Sequence, residues 1–342
     1  MKVLFIGGTG NISTAVSELA LTLGIELFHL NRGITVEKSL SAVKTLKADI
    51  SNELEIQKVL KNHVWDTVVD WIAFKPQDIE RDFRLFHGKT RQFIFISSAS
   101  AYQKPLLHPV VTESTPLRNP YWNYSRDKIA CEDLLNHYYR ESGFPITIVR
   151  PSHTYRNYVP SCFGFDHGYT LIDSMLKNQP IIVPGTGLSR WTLTQASDFA
   201  KGFIGLLGHS ESIGHAFHIT TDERLTWNQI YQEIGAALNR ELRLVHIPED
   251  VLYLLTLERT GSKEVAEALR GNLLGDKLTN VYFDNTKIKT FVPGFKAEIT
   301  FREGIRRALK WFGDDPARKI VSQAHQSEMD WMIARWQQMM KA

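Results

Sequence analysis

The chain opens Met1-Lys2-Val3-Leu4-Phe5-Ile6-Gly7-Gly8-Thr9-Gly10-Asn11-Ile12-Ser13-Thr14-Ala15-Val16, and this stretch decides the fold. Lys2–Ile6 is a short apolar run that reads as a buried strand, and Ala15–Leu23 has helical character. Between them, Gly7 suits a tight strand-to-helix turn. Gly10 has no Cβ to keep a pyrophosphate from the backbone, and Ser13 is small enough for the helix to pack close to the strand. A helix that starts here turns free N–H groups and the positive end of its dipole towards a phosphate. A glycine trio is a weak signal alone; a strand before it, a helix after it and an N-terminal position make it specific.

Working outward, the first 150 residues alternate apolar runs at 2–6, 26–30, 43–48, 66–72, 92–97 and 146–150 with helical patterns near 11–23, 53–62, 77–87 and 122–141. That rhythm predicts an α/β fold: a doubly wound parallel sheet of Rossmann type. After Arg150-Pro151 the rhythm changes. A helical pattern at 198–208, a strand at 215–219, a helix at 227–239 capped by Thr226 and a strand or loop from Val245 to Glu249 describe a smaller α+β lobe. No linker separates the halves, so the lobe is expected to interleave with the sheet. The expected organisation is a dinucleotide-binding domain at 1–150, a substrate lobe at 151–316 and a C-terminal helix at 317–342. That helix either packs on its own domain or meets a partner subunit.

Composition excludes several classes. The 342 residues are 43% hydrophobic and 23% charged, as in soluble globular chains rather than disordered ones. A net charge of +3 is too small to mark a nucleic-acid binder. No apolar run reaches the length of a membrane span, and no signal segment is visible. Two cysteines, Cys131 and Cys162, cannot form a disulfide framework, so a cytoplasmic location is expected. Cys131 reads as a small buried residue rather than a nucleophile. No metal site is expected: His215 and His218 would face opposite sides of a strand, and nothing completes a ligand set.

The second strand leads into Asn31-Arg32-Gly33. An acidic residue there would hold the ribose 2′-hydroxyl of NAD; a guanidinium suits a 2′-phosphate, so the turn leans towards NADP. Asp49-Ile50, after the third strand, is placed to meet the adenine edge. Tyr124-Ser125-Arg126-Asp127-Lys128 puts a tyrosine and a lysine on one helix face. A cation at ~4 Å is worth on the order of 4 kcal/mol at an effective dielectric of about 20, so Lys128 is expected to lower the Tyr124 pKa towards neutrality. Strand 92–97 ends in Ser97-Ser98-Ala99-Ser100-Ala101-Tyr102, and such strand ends are where ligands bind. Ser98 could hold a substrate oxygen while Tyr124 exchanges its proton.

With these motifs together, the chain resembles the extended short-chain dehydrogenase/reductase superfamily, and within it the NAD-dependent epimerase/dehydratase family. The resemblance covers Gly7 and Gly10, Trp71-Ile72-Ala73, Ser98, Tyr102, Tyr124 and Lys128, Arg150-Pro151-Ser152-His153, Asp198-Phe199-Ala200 and Phe301-Arg302-Glu303-Gly304-Ile305 before Trp311. It implies Ser98, Tyr124 and Lys128 as catalytic residues. The turn and the resemblance together imply contacts to NAD(P) from Gly7, Thr9, Gly10, Asn11, Ile12, Asn31, Arg32, Asp49, Ile50, Trp71, Ile72, Ala73, Ser97, Lys128, Pro151 and His153. Ser100, Tyr102, Arg190 and Trp191 are candidates for the substrate side. Two departures are informative. Ala99-Ser100 replaces the Asp-Glu pair of the family's dehydratases, which speaks against their water loss. Trp191 stands where nucleotide-sugar epimerases place an arginine for the sugar-nucleotide phosphates. The Asn-Arg-Gly turn and Pro184–Trp191 are also similar to relatives of the superfamily's chloroplast RNA-binding members.

The expected function is therefore an NAD(P)-dependent epimerase or oxidoreductase acting on a hydroxyl or carbonyl of a small, sugar-like substrate, with no membrane or nucleic-acid partner. The alternative is a non-catalytic cofactor-sensing or RNA-binding protein on the same fold. The resemblance also implies a homodimer formed through the helices near 77–87 and 122–141.

Overall fold

The computed structural model describes residues 1–35, 38–164 and 168–341. Its centre is a parallel sheet of β1 (Lys2–Ile6), β2 (Glu26–Asn31), β3 (Lys44–Lys47), β4 (Thr67–Asp70), β5 (Phe93–Ile96), β6 (Ile146–Val149) and β7 (Ala216–Phe217). The spatial order is β7-β6-β5-β4-β1-β2-β3. Each neighbouring pair is parallel; β1 lies between β2 and β4, with Ile6 opposite both Leu30 and Asp70. The chain thus leaves β1 in one direction and returns on its other side at β4, and the crevice at that reversal is where α/β sheets bind ligands.

Successive residues of each strand face opposite sides, and both sides are apolar. Val3, Phe5, Val69, Ile94 and Val149 join one core with α1 (Asn11–Thr22). Leu4, Ile6, Val68, Phe93, Phe95 and Ile148 join the other, covered by α2 (Glu53–Leu60), α3 (Pro76–Phe86) and α4 (Asn123–Ser142). A sheet covered on both faces explains why the strands read as continuous apolar runs. Each fully buried Val, Ile, Leu or Phe stabilises by about 1.5–3 kcal/mol relative to exposure.

Later parts of the chain return to this body. Helix α5 (Ala196–Ile204) packs its Ala196, Phe199, Ala200 and Phe203 against the α1 side, and Phe217 on β7 extends the same core. The remaining lobe holds the parallel strand pair Ile181–Pro184 and Leu244–Ile247, α6 (Trp227–Leu238), α7 (Glu249–Thr260), α8 (Lys263–Asn272) and α9 (Phe301–Gly313). Thr226 caps α6 as expected, its Oγ1 accepting from the Gln229 N–H at 3.2 Å. The tail is not one continuous helix. A single 3-10 turn occupies Pro316–Arg318, and α10 (Gln323–Met339) starts only after Ser322, whose hydroxyl caps it. Met332 and Ile333 of α10 are buried against Ile182, Ile247 and Leu252 of the same chain.

Candidate active site

The glycine turn is built as its sequence requires. Gly7 and Gly8 adopt φ of +93° and +105°, a region side chains avoid. A Cβ on Gly7 would lie 3.0 Å from Ile72 Cγ2, and one on Gly8 would sit 2.6 Å from the His29 ring. His29 is buried, bonded to Ser17 Oγ at 2.9 Å, and burial pulls its pKa down to about 4, so the ring beneath the turn is neutral. Helix α1 begins at Asn11 with no acidic residue in its first turn, and Gly10 contributes no capping side chain. The helix end therefore offers N–H groups to an anion. This cradle fits the pyrophosphate of a dinucleotide.

A cleft of about 630 Å³ runs from this turn across the carboxyl ends of β1, β4 and β5. Gly7, Thr9, Gly10, Asn11, Ile12, Trp71, Ile72, Ser97, Ser98, Tyr124, Lys128, Pro151 and His153 all line it. Asn11 also ties α1 to the second lobe, its amide donating to the Thr154 carbonyl at 2.7 Å. A side pocket of about 250 Å³ beyond Gly7 and Thr9 is lined by Asn31, Arg32, Asp49 and Ile50. Hydrogen bonds from Ser51 hold the exposed Asp49 carboxyl below its usual pKa. Ala73 stands behind this surface: it is buried, and its carbonyl accepts from Lys128 Nζ at 2.6 Å.

Ser98, Tyr124 and Lys128 meet at the inner part of the cleft. Ser98 Oγ bonds Ser100 Oγ at 2.9 Å, and Ser125 donates to Ser100 Oγ at 2.8 Å. Lys128 is buried, with Nζ donating to the carbonyls of Ala73 and of Ile96 (2.8 Å) and 5.8 Å from the Tyr124 ring centroid. The expectation that this lysine brings Tyr124 towards neutrality is corrected. Burial dominates and pushes the phenol up to about 12, against the opposing hydrogen bond from Ser98. Lys128 is itself held down to about 8 by burial, and its charge is directed at two backbone carbonyls rather than at the phenol oxygen. Behind the trio, Glu132 accepts from Ser97 Oγ at 2.5 Å and from Arg150 Nη2 at 2.6 Å, which fixes α4 to the ends of β5 and β6.

On the substrate side, a second cavity of about 180 Å³ adjoins Ser98 and Tyr124, and Ser100 and Trp191 line it. Two of the sequence-based candidates are corrected. Tyr102 is fully buried, its hydroxyl bonded to His218 Nδ1 at 3.0 Å and its ring under the Arg150 guanidinium, so it supports the wall rather than facing the cavity. Arg190 is exposed on a two-residue strand, Arg190–Trp191, and lines neither cavity. Trp191 points inward instead, donating to the Lys277 carbonyl at 2.7 Å.

Sequence reasoning missed Lys104, Trp122, Asp276 and Lys277, all of which line the second cavity. Lys277 ends a π-helical turn, Leu273–Lys277; its Nζ lies 3.0 Å from His153 Nδ1, 3.3 Å from Asp276 Oδ2 and 4.5 Å over the Trp191 ring. Such turns concentrate at functional sites, but no residue pattern announces one.

Fold and site together give a Rossmann-type sheet whose glycine turn opens onto a cleft lined by Ser98, Tyr124 and Lys128. Residues 83–220 match the model of the NAD dependent epimerase/dehydratase family. The chain is similar to the 2′-dehydrokanamycin reductase of Streptomyces kanamyceticus, 22% identical over 256 residues that cover 73% of this chain and 70% of that one. It is also similar to the chloroplast stem-loop binding protein of 41 kDa b of Arabidopsis thaliana, 25% identical over 69% of this chain and 63% of the relative's length. Among solved structures, the UDP-glucose 4-epimerase of Bifidobacterium longum, in complex with NAD+ and UDP, shares the fold with a TM-score of 0.73 at 18% identity, over 94% of this chain and all of that one. Among the described residues no helix is long and apolar enough to cross a membrane.

Proposed function

We propose that the chain is an NAD(P)-dependent oxidoreductase or epimerase acting on a hydroxyl or carbonyl of a small substrate. The observation that carries this reading is the convergence of Ser98, Tyr124 and Lys128 on the cleft that begins at the helix α1 cradle. A nicotinamide dinucleotide, when bound, supplies or accepts the hydride. Gly7–Ser13 would hold its pyrophosphate and Lys128 its ribose, through the one ammonium donor not directed at the Ala73 and Ile96 carbonyls. Arg32 and Asn31 stand where an acidic residue would hold a 2′-hydroxyl and favour a 2′-phosphate, hence NADP, with Asp49 lining the same pocket. Ser98 orients the substrate oxygen and Tyr124 moves the proton at that oxygen. A phenol held near 12 keeps its proton at neutral pH, which supports proton donation to a carbonyl, the reducing direction.

The test is a fluorescence titration with NADPH and NADH, after mass spectrometry for cofactor retained through purification, followed by turnover of keto sugars read by the absorbance of the reduced cofactor. Stoichiometric oxidation of NADPH supports a reductase. Tightly retained NAD with no net oxidation supports epimerisation. Binding of neither dinucleotide refutes the reading and moves the RNA-binding alternative forward, for which salt-dependent RNA affinity is the readout. A homodimer through α3 and α4 belongs to the same proposal and is checked by sedimentation.

A further inference from the structure

The second cavity contains a feature that proton and hydride transfer do not need. Lys104 follows the serine turn directly, its backbone N–H anchored on the Arg118 carbonyl at 2.7 Å, and it is 1% exposed. Lysines are almost never buried to this degree unless paired. The nearest opposing charge acting on it is Asp276, which already pairs with Lys277 Nζ at 3.3 Å. Among the described residues, the ionisable groups that line the cavity are Lys104, Lys277, Asp276, His153 and Tyr124. Among the described residues, the Lys104 and Lys277 side chains thus face one carboxylate, that of Asp276.

Size restricts what could seat there. At about 180 Å³ the cavity is below the range of about 300–1,000 Å³ that holds drug-sized ligands, so the group seated in it is small. Among the described residues no arginine lines either this cavity or the main cleft.

We propose that the substrate is a small hydroxy or keto compound carrying a carboxylate or phosphate, and that this anionic group seats in the second cavity against Lys104 and beside Lys277, leaving the reacting oxygen at Ser98 and Tyr124. This deepens the preceding reading and rests on it. Lys104 is then the specificity-determining group. Burial holds its ammonium down to about 8, and an anion beside it would raise that value again.

The experiment titrates the full chain, saturated with NADPH so that the helix α1 cradle is filled, with acetate, inorganic phosphate and methylammonium, reading binding by calorimetry and by shift in Tm. The expected result is saturable binding of acetate or phosphate, with the better of the two identifying the group. Lys104→Met weakens it at least tenfold, Lys104→Arg retains it, and methylammonium gives no saturable signal. Anion binding that Lys104→Met and Lys104→Gln leave unchanged overturns the proposal, as does saturable binding of methylammonium alone or no saturable binding of either anion. NADPH fluorescence on the same samples separates the two levels. Retained dinucleotide binding without Lys104-dependent anion binding sinks this inference alone, whereas lost dinucleotide binding in the unmutated chain sinks the reading beneath it.

Discussion

Replacing Arg150 with methionine removes the cation from a buried pair and leaves Glu132 behind. The Glu132 carboxylate is fully buried, and Arg150 meets it with Nε at 3.0 Å and Nη2 at 2.6 Å. The same guanidinium donates to the Glu113 carbonyl at 3.2 Å and covers the Tyr102 ring at 4.8 Å. After the substitution, among the described residues only the Ser97 hydroxyl, with whatever water enters, can satisfy the Glu132 carboxylate. An uncompensated buried charge costs about 3–5 kcal/mol, while methionine recovers part of the packing. With an m-value of about 3 kcal/mol/M, the urea midpoint falls by about 1 M. The assay is equilibrium unfolding followed by two probes, to check that one transition is seen. Adding Glu132→Leu to Arg150→Met removes the stranded charge, and most of the loss should return. A midpoint for Arg150→Met within about 0.3 M of the unmutated chain would refute the reasoning, as would a double variant less stable than the single one.

Other outcomes follow from the same structure. Tyr124→Phe should abolish hydride exchange while dinucleotide fluorescence titrations remain within a few-fold of the parent, since the role proposed for the phenol oxygen lies at the substrate and not at the cradle. The buried, neutral His29 has a pKa of about 4 against 6.5 unfolded, so the unfolded chain binds more protons between those values. Stability should fall by about 2 kcal/mol from pH 7 to pH 5, and His29→Gln should flatten that slope in urea titrations. Gly8→Ala places a Cβ 2.6 Å from the His29 ring at a φ of +105°; the expected result is loss of soluble protein or of dinucleotide binding. Lys104 is depressed from 10.5 to about 8, so the fold carries at neutral pH a cost that fades as pH rises from about 8 towards 10.5. Lys104→Met should therefore be more stable than the parent at pH 7, by about 3 kcal/mol, and the difference should shrink by pH 10 in chemical denaturation.

The sheet was legible because each strand carries its own signal. Val3–Ile6, Val68–Val69, Phe93–Ile96 and Ile146–Val149 are apolar on both faces because both faces are covered. The glycine turn was legible because its chemistry is local: φ, the missing Cβ and the helix end lie within seven residues. Tyr124 and Lys128 were legible because helix geometry sets their spacing. Their electrostatics were not, since the effect of Lys128 depends on where Nζ is bonded, and the carbonyls of Ala73 and Ile96 come from other segments. Tyr102 was misread for a related reason: its partner His218 is 116 residues away. Lys104 and Lys277 come together only through the folding of the second lobe over the first, and neither sits in a recognisable spacing. The break before α10 was missed because Ile320 and Val321 continue the apolar pattern through residues that are not helical.

The return of α5 and β7 to the first body bears on how the chain acquires its structure during synthesis. When the ribosome has released residue 150, β6 has an unpaired edge and the α1 face of the sheet lacks Phe199, Phe203 and Phe217. Exposed strand edges and uncovered apolar faces are the parts of a nascent chain that aggregate. Closure of that core also draws on Ile288 and Phe295, so it waits until nearly 300 residues have emerged. The dinucleotide cradle, complete in sequence by residue 13, thus becomes a stable surface only late in translation. A truncation at residue 150 should give insoluble protein, and the nascent chain should be held by chaperones until its second half arrives.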